Sequence, residues 1–268
     1  MTIFQAIIIA IVEGITEFLP ISSTGHMALT SALLGIEKEP FTKLFIENIQ
    51  FGTIISVIII YWRKFLDFKK LSFYLKLLIA FIPAVIVGLL LKKHIDKVLE
   101  TPIFISVVML LGGVLLLFVD NWFKHPTIEK EENISYKNSF VIGVFQIISI
   151  ILPGFSRSAA TIIGGMQQKL TRKAAAEFSF FLAVPTLAGA FAKSLWDTYK
   201  INPEVLTTHN IQLLVVGNLV GLLIAIIAIK AFISYLTKHG FRIFGYYRIV
   251  VGLILVIFLF TGHSLTIH

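Results

Sequence analysis

Long apolar runs alternate with short polar interruptions along this chain, and the lengths of the runs divide them into two kinds. A helix that crosses a bilayer needs about 20 mainly apolar residues. Six segments come close to that, at roughly Leu44–Trp62, Leu71–Leu91, Ile103–Phe123, Ala174–Leu195, Ile211–Tyr235 and Ile243–Phe260. Other apolar pieces are shorter and come in pairs. Thr2–Phe18 is followed by Pro20, a polar turn and then Met27–Leu34; Ser139–Leu152 is followed by Pro153, another polar turn and then Ala159–Met166. Each pair predicts two short helices joined by irregular chain. Such backbone is tolerated at membrane depth only where protein or a water-filled cavity surrounds it. Both pairs are therefore expected to be re-entrant hairpins that dip in and return to the same side. The alternative is a pair of helices lying in the interface.

The same order of pieces occurs twice. At a constant offset of 133, Leu19 and Pro20 match Leu152 and Pro153, Ser23 matches Ser156, Thr53 matches Thr186, and the VGLL at Val87 matches the VGLL at Val220. Each half, about 1–123 and 138–260, then holds one hairpin and three spanning helices. Three is odd, so the second half starts on the opposite face and the repeats are inverted. The hairpins would enter from opposite sides, and their tips could meet near the midplane. The expected fold is a single all-α membrane domain over residues 1–268, with six transmembrane helices and two re-entrant helical hairpins.

Composition agrees with lipid as the main solvent. Hydrophobic residues make up 57% and charged residues 14%, where a soluble domain carries about 25% charged. The net charge of +8 could suggest nucleic acid, but no basic, aromatic-rich domain is present to bind it. In a membrane protein, excess Lys and Arg mark cytoplasmic loops. One predicted face collects Arg63, Lys64, Lys69, Lys70, Lys76, Lys124, Lys130, Lys137, Lys169, Arg172, Lys173, Lys230, Lys238 and Arg242. The other has half as many, at Lys38, Lys43, Lys92, Lys93, Lys97, Lys193 and Lys200. The richer face is expected to be cytoplasmic and both termini external. With no cysteine, disulfides and thiolate metal sites are excluded. The first apolar stretch does not read as a signal peptide, because no Lys or Arg precedes Lys38 and it carries Glu13 and Glu17.

Chemistry concentrates at the two hairpin tips. The first reads EGITEFLPISSTGH from Glu13 to His26. Glu13 and Glu17 are four apart on one helix face, and the turn beyond them holds Ser22, Ser23, Thr24 and His26. The second reads PGFSRSAAT from Pro153 to Thr161, with Gly154, Ser156, Arg157, Ser158 and Thr161. Gly154 would let backbone approach a ligand closely, and a helix opening there offers amides to an anion. Arg157 adds a planar fork of donors suited to phosphate oxygens. Acids, hydroxyls and an imidazole on one tip facing an anion clamp on the other resemble a phosphoryl-transfer site.

Structural readings compete with this one. Ser22, Ser158 or Thr161 taken singly could bond only to helix backbone, and Glu13 or Glu17 could simply pair with Arg157. Yet each membrane-centre charge costs roughly 2.5–3.5 kcal/mol, which apolar side chains would avoid, and this favours function for the trio and for His26. Elsewhere, Lys76 and Arg248 read as snorkelling or packing residues. His94, His125, His209, His263 and His268 read as solvated, and Gln146, the counterpart of Glu13, as a neutral remnant of the repeated site.

The two tip motifs resemble the signatures of bacterial undecaprenyl-diphosphate phosphatases, the bacitracin-resistance family. SFFLAVPTLAGA (Ser179–Ala190), IQFG (Ile49–Gly52) and YYRIVVG (Tyr246–Gly252) look like that family too, so the resemblance runs end to end. Two departures stand out. Ala159 replaces a usual glycine, and Ile46 replaces a common acidic residue while Glu47 sits one position later, rotated by about 100° on a helix. The resemblance implies metal-assisted hydrolysis of a polyprenyl pyrophosphate at the outer face of the bacterial plasma membrane. It casts Glu13 and Glu17 as the paired acids, Ser23 and His26 as reacting or proton-transferring residues, and Arg157 as the phosphate clamp. Ser22, Thr24, Gly154, Ser156 and Thr161 complete the expected substrate contacts.

In the mechanism expected on this basis, Mg²⁺ or Ca²⁺ bridges the substrate to Glu13 and Glu17. Ser23 attacks with His26 as base, with His26 or water as alternative nucleophiles. The lipid tail lies among the spanning helices. The competing class is a lipid-phosphate transporter or flippase using the same midplane site. Oligomeric state is open, a homodimer included.

Overall fold

The computed structural model describes residues 1–91, 98, 101–261 and 265. Lys92, Lys93, His94, Lys97, His263 and His268 lie outside the described residues. The main elements are α1 (Ile3–Thr16), α2 (Ser23–Leu33), α3 (Pro40–Ile60), α4 (Leu71–Leu90), α5 (Pro102–Trp122), α6 (Tyr136–Ile151), α7 (Arg157–Gln167), α8 (Arg172–Ile201), α9 (Thr208–His239) and α10 (Arg242–Phe260). No β-strand occurs among the described residues; a lone bridge pairs Ile128 with Leu170.

Local chemistry sets the ends of these helices. Thr2 and Gln5 form a reciprocal capping box at the start of α1, as Ser135 and Asn138 do at the start of α6. Pro40 and Pro102 occupy the first turns of α3 and α5, where the missing N–H costs nothing. Thr171 and Thr207 cap α8 and α9 through their hydroxyls. α9 stops at Gly240, which takes the left-handed φ of 75°.

Six helices, α3, α4, α5, α8, α9 and α10, are long and apolar enough to span a membrane, and they coincide with the six expected segments. α8 and α9 run longer, at 30 and 32 residues, because polar residues such as Arg172, Lys173 and Lys238 continue the helices beyond the apolar run. Large apolar side chains point outward along these spans, among them Leu78, Ile86, Leu111, Phe118, Leu219, Leu223, Ile227 and Val250. That surface would aggregate in water and suits lipid. The protein is a multi-pass membrane protein.

The short helices α1 and α2 form one hairpin, and α6 and α7 another. Their outer ends are tied in equivalent ways. Gln5 Nε2 donates to the Leu34 carbonyl at 3.2 Å, and Asn138 Nδ2 donates to Gln168 Oε1 at 2.9 Å. α1 packs against α9, and α6 against α4; α3 lies between α8 and α9, and α5 pairs with α10. Small residues permit the closest approaches, as between membrane helices generally. A methyl group on Gly14 would lie 2.9 Å from the Gly221 carbonyl, and one on Gly143 would run into the Ala80 carbonyl.

Polar contacts sort the loops onto two ends. Lys64 pairs with Glu131 at 2.5 Å, Lys76 donates to the Glu132 carbonyl at 2.8 Å, and Asp120 accepts from Arg172 Nε at 2.8 Å and the Phe241 amide at 2.7 Å. These contacts gather residues near 61–76, 120–134, 168–173 and 238–242 at one end, the basic set expected to lie together. Lys76 reaches that end from the first turns of α4, as a snorkelling lysine would. At the other end, His209 Nε2 donates to the Met1 carbonyl at 3.4 Å and Ser194 Oγ to Glu47 at 2.5 Å.

Candidate active site

The two hairpin tips meet. Ser158 Oγ donates to the Phe18 carbonyl at 2.6 Å and Ser156 Oγ to the Leu19 carbonyl at 3.5 Å. Glu17, which ends α1, lies between the first residues of the two returning helices. Its Oε2 accepts from Ser23 Oγ at 2.7 Å and its Oε1 from Arg157 Nη2 at 3.1 Å. Arg157 Nη1 donates to the Ser179 carbonyl at 3.2 Å, while its buried Nε has no protein acceptor. A carboxylate, a hydroxyl and a guanidinium thus converge where the sequence placed them.

The two returning helices open alike. Ser22 (φ 70°) and Ser156 (φ 79°) hold left-handed conformations unusual for serine, and each accepts a capping bond, from the Gly25 amide at 3.5 Å and the Ala159 amide at 3.3 Å. Such strain costs of order 1–3 kcal/mol and concentrates at functional sites. The structural partner of Ser156 is therefore Ser22, not Ser23 as the offset of 133 implied. Across this shifted register, Ser23 corresponds to Arg157. Both open their helices, and both bond Glu17.

Several expected substrate contacts are committed elsewhere. The Ser22 hydroxyl is a buried cap, and Thr161 Oγ1 bonds the Arg157 carbonyl at 2.9 Å and Ser179 Oγ at 2.6 Å. Ser22 thus caps its own helix, while Ser158 and Thr161 reach beyond theirs, to the Phe18 carbonyl and to Ser179 Oγ. Thr24 is exposed on the first turn of α2. Gly154 has a packing role of its own. Its φ is 98°, and a methyl group there would collide with the Ile105 carbonyl on α5.

His26 also departs from expectation. Ser23 turns to Glu17, so the Ser23–His26 pairing is not formed. His26 Nδ1 lies 2.8 Å from the Ser22 carbonyl, which can only accept, so Nδ1 carries the hydrogen. In the neutral ring, Nε2 then accepts from the Tyr247 hydroxyl at 2.8 Å, and the two rings stack at 5.5 Å. Tyr247 lies in the YYRIVVG stretch, but an uncharged side chain on a spanning helix carries no signal that marks it as a site residue.

Of the two readings of Arg248, snorkelling or packing, the structure shows packing. The side chain does not snorkel: its exposure is 0%, and its guanidinium donates to four main-chain carbonyls. Nε reaches Met109 at 3.1 Å, Nη1 reaches Pro20 at 3.1 Å and Phe155 at 2.6 Å, and Nη2 reaches Gly154 at 2.9 Å. Both tips and α5 are thereby tied to α10. An arginine held by carbonyls alone has no acidic partner to betray it in a sequence.

Glu13, one turn before Glu17, is fully buried, and neither carboxylate oxygen has a hydrogen-bond partner. A buried, unpartnered carboxylate is costly unless a cation or proton satisfies it. No cluster of three or more His, Cys, Asp or Glu occurs among the described residues; the acids that the first tip offers a metal are this pair. Mg²⁺ is commonly bound by one or two carboxylates, with water and substrate phosphate completing its shell; the pair fits such an ion. Gln146, the counterpart of Glu13, is also buried. Its Oε1 accepts from Thr186 at 3.4 Å, and its Nε2 is unpartnered. Glu47 accepts a hydrogen bond from Ser194 of α8.

Known proteins resemble this chain along its length. The family described as bacitracin resistance protein BacA matches residues 6–254. A Flavobacterium psychrophilum protein named undecaprenyl-diphosphatase is 54% identical over 267 residues, with all of both chains covered. Proteins of the same name from Flavobacterium johnsoniae and Porphyromonas gingivalis are 53% and 46% identical, again over the full length of both chains. Matched from end to end, with both tip motifs inside the matched region, this chain belongs to the BacA family of bacitracin resistance proteins.

Proposed function

We infer that this chain hydrolyses undecaprenyl pyrophosphate to undecaprenyl phosphate and inorganic phosphate, recycling the carrier lipid of cell-wall synthesis and conferring bacitracin resistance. The relatives' name supports the activity. The observation that carries the chemistry is Glu17 held between Ser23 and Arg157. A carrier that only moved lipid phosphate would need the anion clamp, but not a hydroxyl bonded to a buried carboxylate.

In the reaction we propose, the Nε of Arg157 and first-turn amides of α7 hold the terminal phosphate. The Ser23 oxygen attacks its phosphorus in line, and Glu17 Oε2 takes the hydroxyl proton. The bond to the bridging oxygen breaks, and undecaprenyl phosphate leaves with the electron pair. Water then attacks the phosphoserine phosphorus and leaves with the phosphoryl group as inorganic phosphate (H₂PO₄⁻), while Glu17 returns the proton it took to the departing Ser23 oxygen. His26 lies three residues beyond Ser23 on the same face of α2 and, with half-exposed Tyr247, offers a route for protons. Glu13 and Glu17 would hold Mg²⁺ or Ca²⁺, which when bound offsets charge on the transferring phosphoryl group.

The purified protein should release phosphate from undecaprenyl pyrophosphate, and exhaustive chelation should lower the rate at least tenfold, restored by adding the ion back. Full activity after chelation would remove the metal role and leave the phosphatase reading standing. No phosphate release under any metal condition would remove that reading.

We further propose an inverted repeat of about 1–123 and 138–260, supported by the matching hairpins and by α1 against α9 mirroring α6 against α4. The membrane would be the bacterial plasma membrane, with the basic end cytoplasmic and the site opening outward, as the charge bias favours. Lys69→Cys in a chain that has no cysteine should resist an impermeant thiol reagent in intact cells and react after lysis. Labelling in intact cells would reverse the orientation.

A further inference from the structure

The four acceptors of Arg248 have a directional consequence. Its Nη1 takes the Phe155 carbonyl at 2.6 Å and its Nη2 the Gly154 carbonyl at 2.9 Å. No peptide bond here is cis, and in a trans peptide the C=O and N–H point in opposite directions. Gripping the Phe155 oxygen therefore turns the Ser156 N–H to the far side of the turn. The next two amides, of Arg157 and Ser158, open α7 and have no carbonyl one turn back to bond. The same guanidinium holds Pro20 of the first tip at 3.1 Å, which fixes that tip, with Glu17 and Ser23, against the second.

The path by which Arg248 arrives is narrow. A methyl group on Gly112 of α5 would overlap Nη2 and lie 2.9 Å from Cζ. The guanidinium crosses α5 only because residue 112 has no side chain.

We propose that Arg248 is a positioning residue, and that it aims the backbone N–H groups of the second tip at the transferring phosphoryl group, with Gly112 as the opening that admits it. This rests on the phosphatase reading above. Donors pre-aimed at developing charge are among the largest contributors to catalysis, and removing one commonly costs 10²–10³-fold in turnover. Arg248→Lys keeps the charge but cannot hold carbonyls from three segments at once. Its kcat should fall about 100-fold, with KM for the lipid little changed because the loss is confined to the transition state. Gly112→Ala displaces the guanidinium without removing it and should lower kcat about tenfold or more. Gly252→Ala is the packing control. Its methyl group meets the side chain and backbone of Leu110 on the same helix pair at 3.1 Å, with no guanidinium atom among its nearest contacts, so kcat should stay near wild type.

Inhibition by orthovanadate, a mimic of the transferring phosphoryl group, gives a readout that a purely structural tie would not move. It should weaken in parallel with kcat in Arg248→Lys and Gly112→Ala. Should folded Gly112→Ala match Gly252→Ala in kcat and vanadate sensitivity, the proposal is overturned, even if Arg248→Lys fails to fold. It is also overturned if activity falls only with the folded fraction while vanadate inhibition of the remainder is unchanged. An inactive wild type would instead count against the phosphatase reading. Direct binding of orthovanadate to wild type and Arg248→Lys would then decide the clasp separately, equal affinity overturning it.

Discussion

Arg157→Lys should lose nearly as much activity as Arg157→Ala, with kcat and kcat/KM both falling. Arg157 makes two contacts with protein, at Glu17 Oε1 and the Ser179 carbonyl, and keeps Nε free of any protein acceptor. One planar group can therefore orient the carboxylate, anchor itself to α8 and still present a donor to phosphate. A lysine ammonium is a point charge on a flexible stem and cannot meet three directions from that position. Loss of a charge-assisted hydrogen bond that tightens in the transition state costs roughly 2–4 kcal/mol, or about 30- to 1,000-fold. Kinetics on folded, inserted variants test this, with Arg157→Met as a neutral control of similar length. Near-normal kcat in Lys but not Met would mean that charge alone suffices. Activity in Met would reduce Arg157 to a structural partner of Glu17 and refute the proposed site.

Glu13→Gln should abolish most activity while making the metal-free protein more stable. Glu13 is fully buried with both oxygens unpartnered, an arrangement that costs stability unless something positive or a proton meets it. The amide keeps the shape and carries no charge. With the divalent ion removed, we expect the variant to melt a few degrees above wild type, since about 1 kcal/mol shifts a melting point by several degrees in proteins of modest size. With the ion present, activity should fall about 100-fold and the ion concentration for half-maximal rate should rise, because one of two ligands is gone. Wild-type metal dependence in Glu13→Gln would exclude Glu13 as a ligand. A melting point below wild type under chelation would show that the carboxylate has a stabilising role that its isolation does not reveal.

The two contrasting substitutions bear on what a sequence exposes. The six spans were legible because unbroken apolar runs of membrane length have few other uses. The tips were legible because Glu13, Glu17 and Arg157 stand where charge is expensive, so Glu17 against Arg157 could be anticipated. Which hydroxyl faces which base could not, since it depends on the left-handed turns at Ser22 and Ser156. Those turns shift the tip register by one residue and send Ser23 to Glu17 instead of His26. Arg248 was out of reach for a different reason. Its partners are the carbonyls of Met109, Pro20, Gly154 and Phe155, and a carbonyl looks the same at every residue. The Gly112 gap was the signal available, but only once α5 and α10 were known to be neighbours.

The packing of the two hairpins also bears on how the chain is assembled. The second hairpin rests on α4, which has already left the ribosome when α6 emerges, so it can be buried as soon as it is made. The first rests on α9, Thr208–His239, which is synthesised long after α1. Until then α1 carries Glu13 and Glu17 without the helix that shelters them, and charged, irregular chain has no stable place in hydrocarbon. The N-terminal hairpin should therefore wait at the membrane surface and enter last. Chains truncated before α9 should leave Glu13 accessible to aqueous reagents, even though all of its neighbours in sequence have been translated.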